Sequence, residues 1–155
     1  MIGARAPLST RTRFRRFFAL PAERKRAFLT AIAMLVGVRI SLWAATVEQV
    51  ESSARRFARQ TPDTRPPAPG SAERIAWAVG SAARFVPGAS CLAQAIAAEV
   101  LLIRAGHPAE MRLGVAKDGR GRIEAHAWIE VSGRVILGDG DLTRYVPLEP
   151  RTKIG

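Results

Sequence analysis

Residues 87–106, PGASCLAQAIAAEVLLIRAG, contain the only cysteine of the chain and predict its central element. Ser90 is a residue type that favours the N-cap of a helix, and Cys91 follows it as the first helical residue. Gly106 can adopt the left-handed conformation that commonly ends a helix. The stretch therefore predicts one helix with Cys91 at its N-terminus.

This predicted helix has no continuous polar face. On a helical wheel its polar residues, Gln94, Glu99 and Arg104, fall in three different sectors. A helix that is apolar on nearly all sides is buried. Cys91 would stand on its first turn, where unpaired N–H groups and the positive end of the helix dipole stabilise a thiolate. A cysteine nucleophile is commonly built this way, whereas a lone cysteine elsewhere often only fills space in a core.

A second stretch, RIEAHAWIEV at residues 122–131, alternates strictly between apolar and other side chains. The predicted apolar face consists of Ile123, Ala125, Ala127, Ile129 and Val131. The opposite face carries His126 and Trp128 between charged residues. His126 is therefore expected on a strand rather than on a loop, and Trp128 is expected in the core or in the wall of a site.

The turn at residues 132–133 determines what lies opposite His126. A two-residue hairpin loop places His126 opposite Asp139, within hydrogen-bonding reach. The same register gives the pairs Val131–Arg134 and Trp128–Leu137. Serine is unfavourable in a left-handed turn position, so a three-residue loop with a bulge is the alternative; it pairs His126 with Gly138 and leaves Asp139 as a neighbour.

Cys91, His126 and Asp139 would together supply a nucleophile, a base and a group that orients the base. The backbone N–H of Cys91 is the predicted oxyanion donor. Asp141 is the second choice for the carboxylate in either register. His107 lies in a Gly-Pro turn without an evident partner, and it is assigned no role.

Composition and charge limit the other classes of function. The 155 residues have room for one domain with an appended segment. A single cysteine excludes a disulfide framework, and no Cys/His spacing typical of a zinc site is present, so neither metal nor cofactor is expected. The net charge of +11 is concentrated in residues 1–60, which hold 12 Lys+Arg against 3 Asp+Glu. The free thiol favours the cytoplasm.

The pattern along the chain predicts four parts. Residues 1–20 form a basic arm, either a flexible solvated tail or a contact for an anionic surface. Residues 21–60 form a helical extension with helices around residues 28–43 and 47–59. Residues 61–70 are a proline-rich linker, and residues 71–150 form the catalytic domain, which begins with a helix capped by Ser71.

The first helix of the extension could be mistaken for a membrane span. Its apolar run at residues 27–38 is too short to cross a bilayer, and Arg39 interrupts the pattern that follows. Its large side chains recur at helical spacing: Phe28, Ile32, Leu35, Val36, Ile40 and Trp43. This stripe is expected to pack on the protein itself, with a partner or a membrane interface as alternatives.

The segments ARFVPGAS, CLAQAIAAEVLLIRAG, MRLGV and AHAWIEVSGRVILGD together resemble the B2-type leader peptidases of lasso-peptide biosynthesis, which are transglutaminase-like cysteine proteases. The resemblance covers residues 71–148. It implies that Cys91, His126 and Asp139 are catalytic. It also implies an α+β fold with a papain- or transglutaminase-like core, in which the buried cysteine helix packs on a small antiparallel sheet.

The resemblance further implies cleavage of a ribosomally made precursor peptide between leader and core, followed by macrolactam closure by a separate ATP-dependent cyclase. Residues 1–60 are basic and helical, unlike the winged leader-recognition domain of fused members. A separate B1-type recognition protein is therefore expected as a partner. The alternatives are a transglutaminase-like acyl transferase and a non-catalytic basic module that binds anionic surfaces. No nucleic-acid partner is expected, whereas contact of the N-terminal region with a membrane surface is an open alternative.

Overall fold

The computed structural model describes residues 21–60 and 65–148. The predicted basic arm, the first four residues of the linker and the chain from residue 149 onward lie outside the described residues. Within these ranges the elements are α1 (Ala22–Ala44), α2 (Val47–Gln60), α3 (Ser71–Ala82), α4 (Cys91–Arg104), β1 (Ala109–Lys117), β2 (Ile123–Val131), β3 (Arg134–Leu137), a 3₁₀ turn (Leu142–Arg144) and β4 (Val146–Pro147). The predicted α+β class is confirmed.

Helix α4 begins and ends where its capping residues predict. The Ser90 hydroxyl accepts a hydrogen bond from the Ala93 N–H at 3.3 Å. At the other end Gly106 has φ +81°, and the His107 N–H reaches back to the Leu102 carbonyl at 2.9 Å. Most side chains between these caps are buried on every side of the helix, so α4 is the central element of the core.

Helix α1 packs on α3 and α4, and α2 packs on α4. The predicted stripe of α1 is correct in part. Phe28 and Leu35 are buried, but Val36, Ile40 and Trp43 are exposed, and the small residues Ala31 and Val38 fill the core instead. The reason is that α1 is apolar around most of its circumference, so helical spacing alone does not decide which side faces the protein.

The four strands form an antiparallel sheet in the order β3-β2-β1-β4. One face of this sheet packs on the helices through Met111, Leu113, Ala127 and Ile129. Two members of the predicted apolar face of β2, Ile123 and Ala125, are exposed. The apolar face is therefore covered only along the second half of β2.

Helix α3 differs from its prediction at its N-terminus. Its N-cap is Gly70 in a left-handed conformation with φ +69°, and Ser71 is already helical. The Ser71 hydroxyl donates to the Ala68 carbonyl and also meets the ring of His107, at 2.6 and 2.7 Å respectively. Ser71 is therefore not the cap, and His107 has a partner that the sequence does not reveal.

Candidate active site

Cys91 is the first residue of α4, and its free thiol is half-buried against the core. The first N–H groups of a helix have no partner inside the helix. The Ala93 and Gln94 N–H groups are taken up by Ser90, whereas within the described residues the N–H groups of Cys91 and Leu92 meet no acceptor. Two backbone donors thus remain available beside the thiol for a negatively charged oxygen.

Side chains from two helices contact the loop before Cys91. The Gln94 side-chain amide of α4 donates to the Ala89 carbonyl at 2.9 Å. Gly88 has φ +71°, and a Cβ built on it would lie 2.6 Å from the guanidinium of Arg39. Since Arg39 belongs to α1, two different helices contact the loop that leads into the nucleophile.

His126 is held by a backbone carbonyl. Its Nε2 lies 2.8 Å from the carbonyl oxygen of Gly138, just after β3. A carbonyl oxygen can only accept a hydrogen bond, so Nε2 carries the proton and Nδ1 keeps its lone pair. This is the tautomer in which Nδ1 can act as a base.

The β2–β3 register explains why Gly138, and not Asp139, meets the imidazole. The two-residue turn is confirmed, because Ser132 and Gly133 have φ +51° and +76°, and Val131 pairs with Arg134 as predicted. The pairing of Leu137 with Trp128 is wrong: Leu137 lies opposite Ile129, because a bulge between Ile129 and Glu130 shifts the register.

Two aromatic rings enclose His126. Trp128 is buried and lies nearly parallel to the imidazole, with ring centroids 6.3 Å apart. Tyr145 lies on another side, with centroids 5.2 Å apart. Gly114, which pairs with His126, leaves room for both, because a Cβ there would lie 2.9 Å from Tyr145 Cβ and 3.0 Å from the Trp128 ring. Tyr145 and Gly114 were not predicted; a glycine inside a strand is the signal that could have indicated such a close approach.

Arg144 ties the segment after β3 to the sheet. Its guanidinium donates to the Glu124 carboxylate at 2.7 Å and to the Tyr145 hydroxyl at 2.6 Å. The hydrogen bond to Tyr145 raises the pKa of Arg144 above its usual value, with a smaller contribution from Glu124 in the same direction. A permanently charged side chain thus lies next to the ring that contacts His126.

The two aspartates that follow differ in their surroundings. Asp139 is exposed, and within the described part of the chain it has no hydrogen bond or ion pair. It follows Gly138 directly, so its carboxylate is the next charged group along the chain from the carbonyl that holds His126. Asp141 accepts a hydrogen bond from the Thr143 hydroxyl at the start of the 3₁₀ turn. Neither carboxylate is hydrogen-bonded to His126.

The structure does not join the thiol to the imidazole. Cys91 packs against the core cluster, to which Ala127 and Ile129 of β2 also belong. His126 alternates to the other face of β2. Among the described residues no hydrogen bond connects Cys91 and His126. The described residues therefore supply a nucleophile and an oriented base, but they do not form an assembled triad.

Within the ranges 21–60 and 65–148, no group of three or more His, Cys, Asp or Glu side chains is arranged to hold a metal ion. The buried acid in α4, Glu99, is occupied structurally: its carboxylate accepts from the Arg55 guanidinium at 3.5 Å and from the Met111 N–H at 3.4 Å. Glu99 thus links α2, α4 and β1 and lies outside the candidate site.

Comparison with known proteins gives one match. Residues 34–149, more than half of the chain, fit the family model described as the transglutaminase-like superfamily. No curated protein and no solved structure is significantly similar to the chain. The superfamily generally contains proteases and transferases with a Cys-His-Asp triad, and its match includes Cys91, His126 and Asp139. The chain therefore belongs to the transglutaminase-like superfamily.

Proposed function

We propose that this protein is a cysteine peptidase that removes the leader from a ribosomally made lasso-peptide precursor, before a separate ATP-dependent cyclase closes the macrolactam. The observation that carries the proposal is the hydrogen bond from His126 Nε2 to the Gly138 carbonyl, because it leaves Nδ1 as a base. The superfamily match supports thioester chemistry at Cys91, and the resemblance of residues 71–148 supports the substrate class.

In the proposed reaction, His126 Nδ1 takes the proton of the Cys91 thiol, and the thiolate sulfur bonds to the carbonyl carbon of the leader–core peptide bond. The carbonyl oxygen becomes an oxyanion that the Cys91 N–H stabilises. The imidazolium then protonates the leaving amine as the C–N bond breaks, which releases the core peptide and leaves the leader as a thioester on Cys91.

Hydrolysis reverses these proton transfers. His126 takes a proton from water, the resulting hydroxide equivalent attacks the thioester, and the leader leaves with a free carboxylate as Cys91 regains its proton. Asp139 is the proposed carboxylate that stabilises the imidazolium. Because Cys91 and His126 lie on different faces of β2, the proposed reaction requires a rearrangement on substrate binding that brings the Cys91 thiol to Nδ1.

A second candidate, acyl transfer, shares the thioester and differs only in the final acceptor. An amine that attacks the thioester in place of water gives a new amide, as in the transferase members of the superfamily. Gly88 and Ser90, which precede Cys91, are exposed. Water and an amine can therefore both reach the thioester on Cys91. The mass of the leader product distinguishes a free carboxylate from an amide.

The proposed partners follow from the same resemblance. They are the precursor peptide, a B1-type recognition protein that holds its leader, and the cyclase that receives the core. The described residues before α3 form two helices, in keeping with a peptidase that depends on a separate recognition protein. The free thiol of Cys91 supports a cytoplasmic location, where disulfides rarely form.

The test is to incubate the full chain with candidate precursor peptides encoded beside it, with and without the recognition protein, and to weigh the products. We expect one cleavage between leader and core, and no cleavage by Cys91→Ala with unchanged circular dichroism, because alanine is a good helix former at this position. A parallel reaction with an added primary amine detects transfer. Intact precursor under all conditions, or full activity of Cys91→Ala, would contradict the proposal.

A further inference from the structure

Helix α1 exposes an apolar surface on the side opposite its core contacts. Phe28, Ala31, Leu35 and Val38 are buried, as described above. The exposed stripe consists of Leu29 (57% exposed), Val36 (41%), Ile40 (62%) and Trp43 (89%). Their spacing of three, four and seven residues places all four on one side of the helix. We call this set the outer stripe.

An open apolar groove borders the outer stripe and extends it toward α2. Small residues of α1 line one wall of this groove: Ala33, Gly37 and Ala44. Phe57 of α2, itself partly exposed, lies on the other wall. The exposed apolar area is therefore wider than a single row of side chains, and contiguous exposed apolar surface of this kind commonly marks an interaction site.

The charges along the outer stripe and before it are mostly positive. From residue 27 to residue 47 the only charged side chain is Arg39. Arg24, Lys25 and Arg26 stand at the N-terminal end of α1, and the preceding residues 1–20 contain five arginines and no acid. Of the two acids that flank this stretch, Glu23 is paired with Arg74 of α3 at 3.3 Å, and Glu48 stands in the first turn of α2. A partner that covers this surface should thus be apolar and flanked by negative charge.

We propose that the outer stripe docks on an anionic lipid bilayer, with α1 lying in the plane of the interface. Apolar side chains of such a helix enter the boundary between headgroups and acyl chains, and adjacent basic residues contact anionic headgroups. Trp43 is the most exposed of the four, and tryptophan favours this boundary because its ring is apolar and its N–H is polar. The bilayer matches both properties of the surface.

An interfacial position fits the core better than a membrane-spanning one. By length and composition, α1 is the one helix among the described residues that could cross a bilayer. Spanning would withdraw Phe28, Leu35 and their neighbours from the core cluster that they share with α3 and α4. It would also place Arg39 in hydrocarbon, where a charged side chain is costly. Docking through the outer stripe leaves these contacts intact.

Charge also argues against a second copy of the chain as the occupant. Pairing two outer stripes brings together two chains that each carry a net charge of +11. The same charge attracts an anionic bilayer. The lipid proposal requires no peptidase activity, so its test is independent of the proposed function.

The experiment is co-sedimentation of the full chain with vesicles of phosphatidylcholine alone or with added phosphatidylglycerol. We expect binding to the anionic vesicles, at least tenfold weaker binding to the neutral ones, and weakening with added salt. The double variant Ile40→Asp, Trp43→Asp should bind at least tenfold less. Ile123→Asp is the matched control, because it changes an exposed apolar residue on β2 that is 76% exposed.

Circular dichroism and thermal unfolding establish that the variants are folded; if the aspartate pair is unfolded, Ile40→Ser with Trp43→Ser replaces it. Absence of sedimentation with anionic vesicles would overturn the proposal, as would equal binding by the outer-stripe and Ile123 variants. A wild-type dimer in solution that becomes monomeric in the outer-stripe variant, without vesicle binding, would assign the surface to a second copy instead.

Discussion

The imidazole of His126 donates its Nε2 proton to the carbonyl oxygen of Gly138, at a distance of 2.8 Å. In a triad of side chains, a carboxylate or amide performs this role. Here the bulge in β3, opposite Ile129 and Glu130, brings a backbone carbonyl to the position where the register of a two-residue loop predicts Asp139. The orientation and tautomer of the base thus depend on the path of the chain after β3.

Gly138→Ala should lower kcat/KM at least tenfold. Gly138 has φ +79°, and a Cβ there would lie 2.7 Å from the Ala127 carbonyl oxygen and 3.0 Å from Trp128, so the chain must shift and move the acceptor away from His126. Gly133→Ala is the matched control: it has φ +76° but an open environment. Both should lose about 1 kcal/mol of stability from the left-handed backbone. Gly138→Ala should lose more because of its close contacts, and it alone should lose activity. Equal activity of the two variants would contradict the orienting role.

Asp139→Asn should lower kcat/KM about tenfold, equivalent to about 1.4 kcal/mol of transition-state stabilisation. The loss is smaller than expected for a buried triad aspartate, because the Gly138 carbonyl keeps the tautomer and only the charge that stabilises the imidazolium is lost. Since Asp139 is exposed, the difference from wild type should shrink with added salt. Asp141→Asn, whose carboxylate serves the local Thr143 contact, should stay within twofold. The reverse order of effects would identify Asp141 as the functional carboxylate.

The recognition protein should accelerate cleavage of the precursor by at least a hundredfold at micromolar concentrations. Two proteins that hold the same peptide raise its effective concentration at Cys91 to the order of millimolar. The measurement is the initial rate of cleavage with and without the recognition protein. A core peptide with a short leader remnant, too short to be held, is the control and should show no acceleration. An unchanged rate with the full precursor would argue against a shared partner.

Glu51→Gln should raise the thermal midpoint at pH 7 by up to about 3 °C, and the gain should vanish near pH 4. Burial raises the pKa of Glu51, and Glu99 adds to the rise while Arg55 opposes it. A raised pKa favours the protonated form in the native state, so its contribution to stability is present below the unfolded value and lost as the pH rises. Glu110→Gln, an exposed acid paired with Arg112, is the control and should show no gain. A lower midpoint for Glu51→Gln at pH 7 would show that its electrostatic attraction to Arg55 outweighs its burial.

The helix that carries Cys91 could be predicted from the sequence because its signals are local. Ser90 and Gly106 form caps that depend only on neighbouring residues, and the lack of a polar face requires burial wherever the helix lies. Position and burial of the nucleophile are therefore encoded within about twenty residues. The assignment of the catalytic roles still rests on chemistry, since the structure leaves Cys91 and His126 unconnected.

The environment of His126 could be predicted only in part. The turn at Ser132 and Gly133 was predicted, but the bulge that follows it depends on how β3 packs against α3, where Leu137 lies 3.7 Å from the position of a Cβ on Gly80. Tyr145 reaches His126 from a distant part of the chain through β4. Such contacts depend on tertiary packing, which alternation along one strand does not encode.

The exposed side of α1 shows the same limit. A helix that is apolar around its circumference offers several sides that the core could use, and the choice is made by the shape of α3 and α4. Ala31 and Val38 face these helices because small side chains allow close approach. The spacing of apolar residues along α1 therefore does not predict which side of the helix stays exposed.

The carbonyl of Gly138 also changes what mutagenesis and sequence comparison can detect. Every residue type has the same carbonyl group, so replacing side chains one at a time would remove no atom of this acceptor. A related protein could keep the hydrogen bond while its other neighbouring side chains differ, provided that it keeps Gly138 and that its chain bends in the same way. The orientation of His126 is thus determined by the path of the backbone. The resonance of the Nε2 proton, or the isotope-edited vibrational frequency of the Gly138 carbonyl, would detect this hydrogen bond more directly than a sequence alignment.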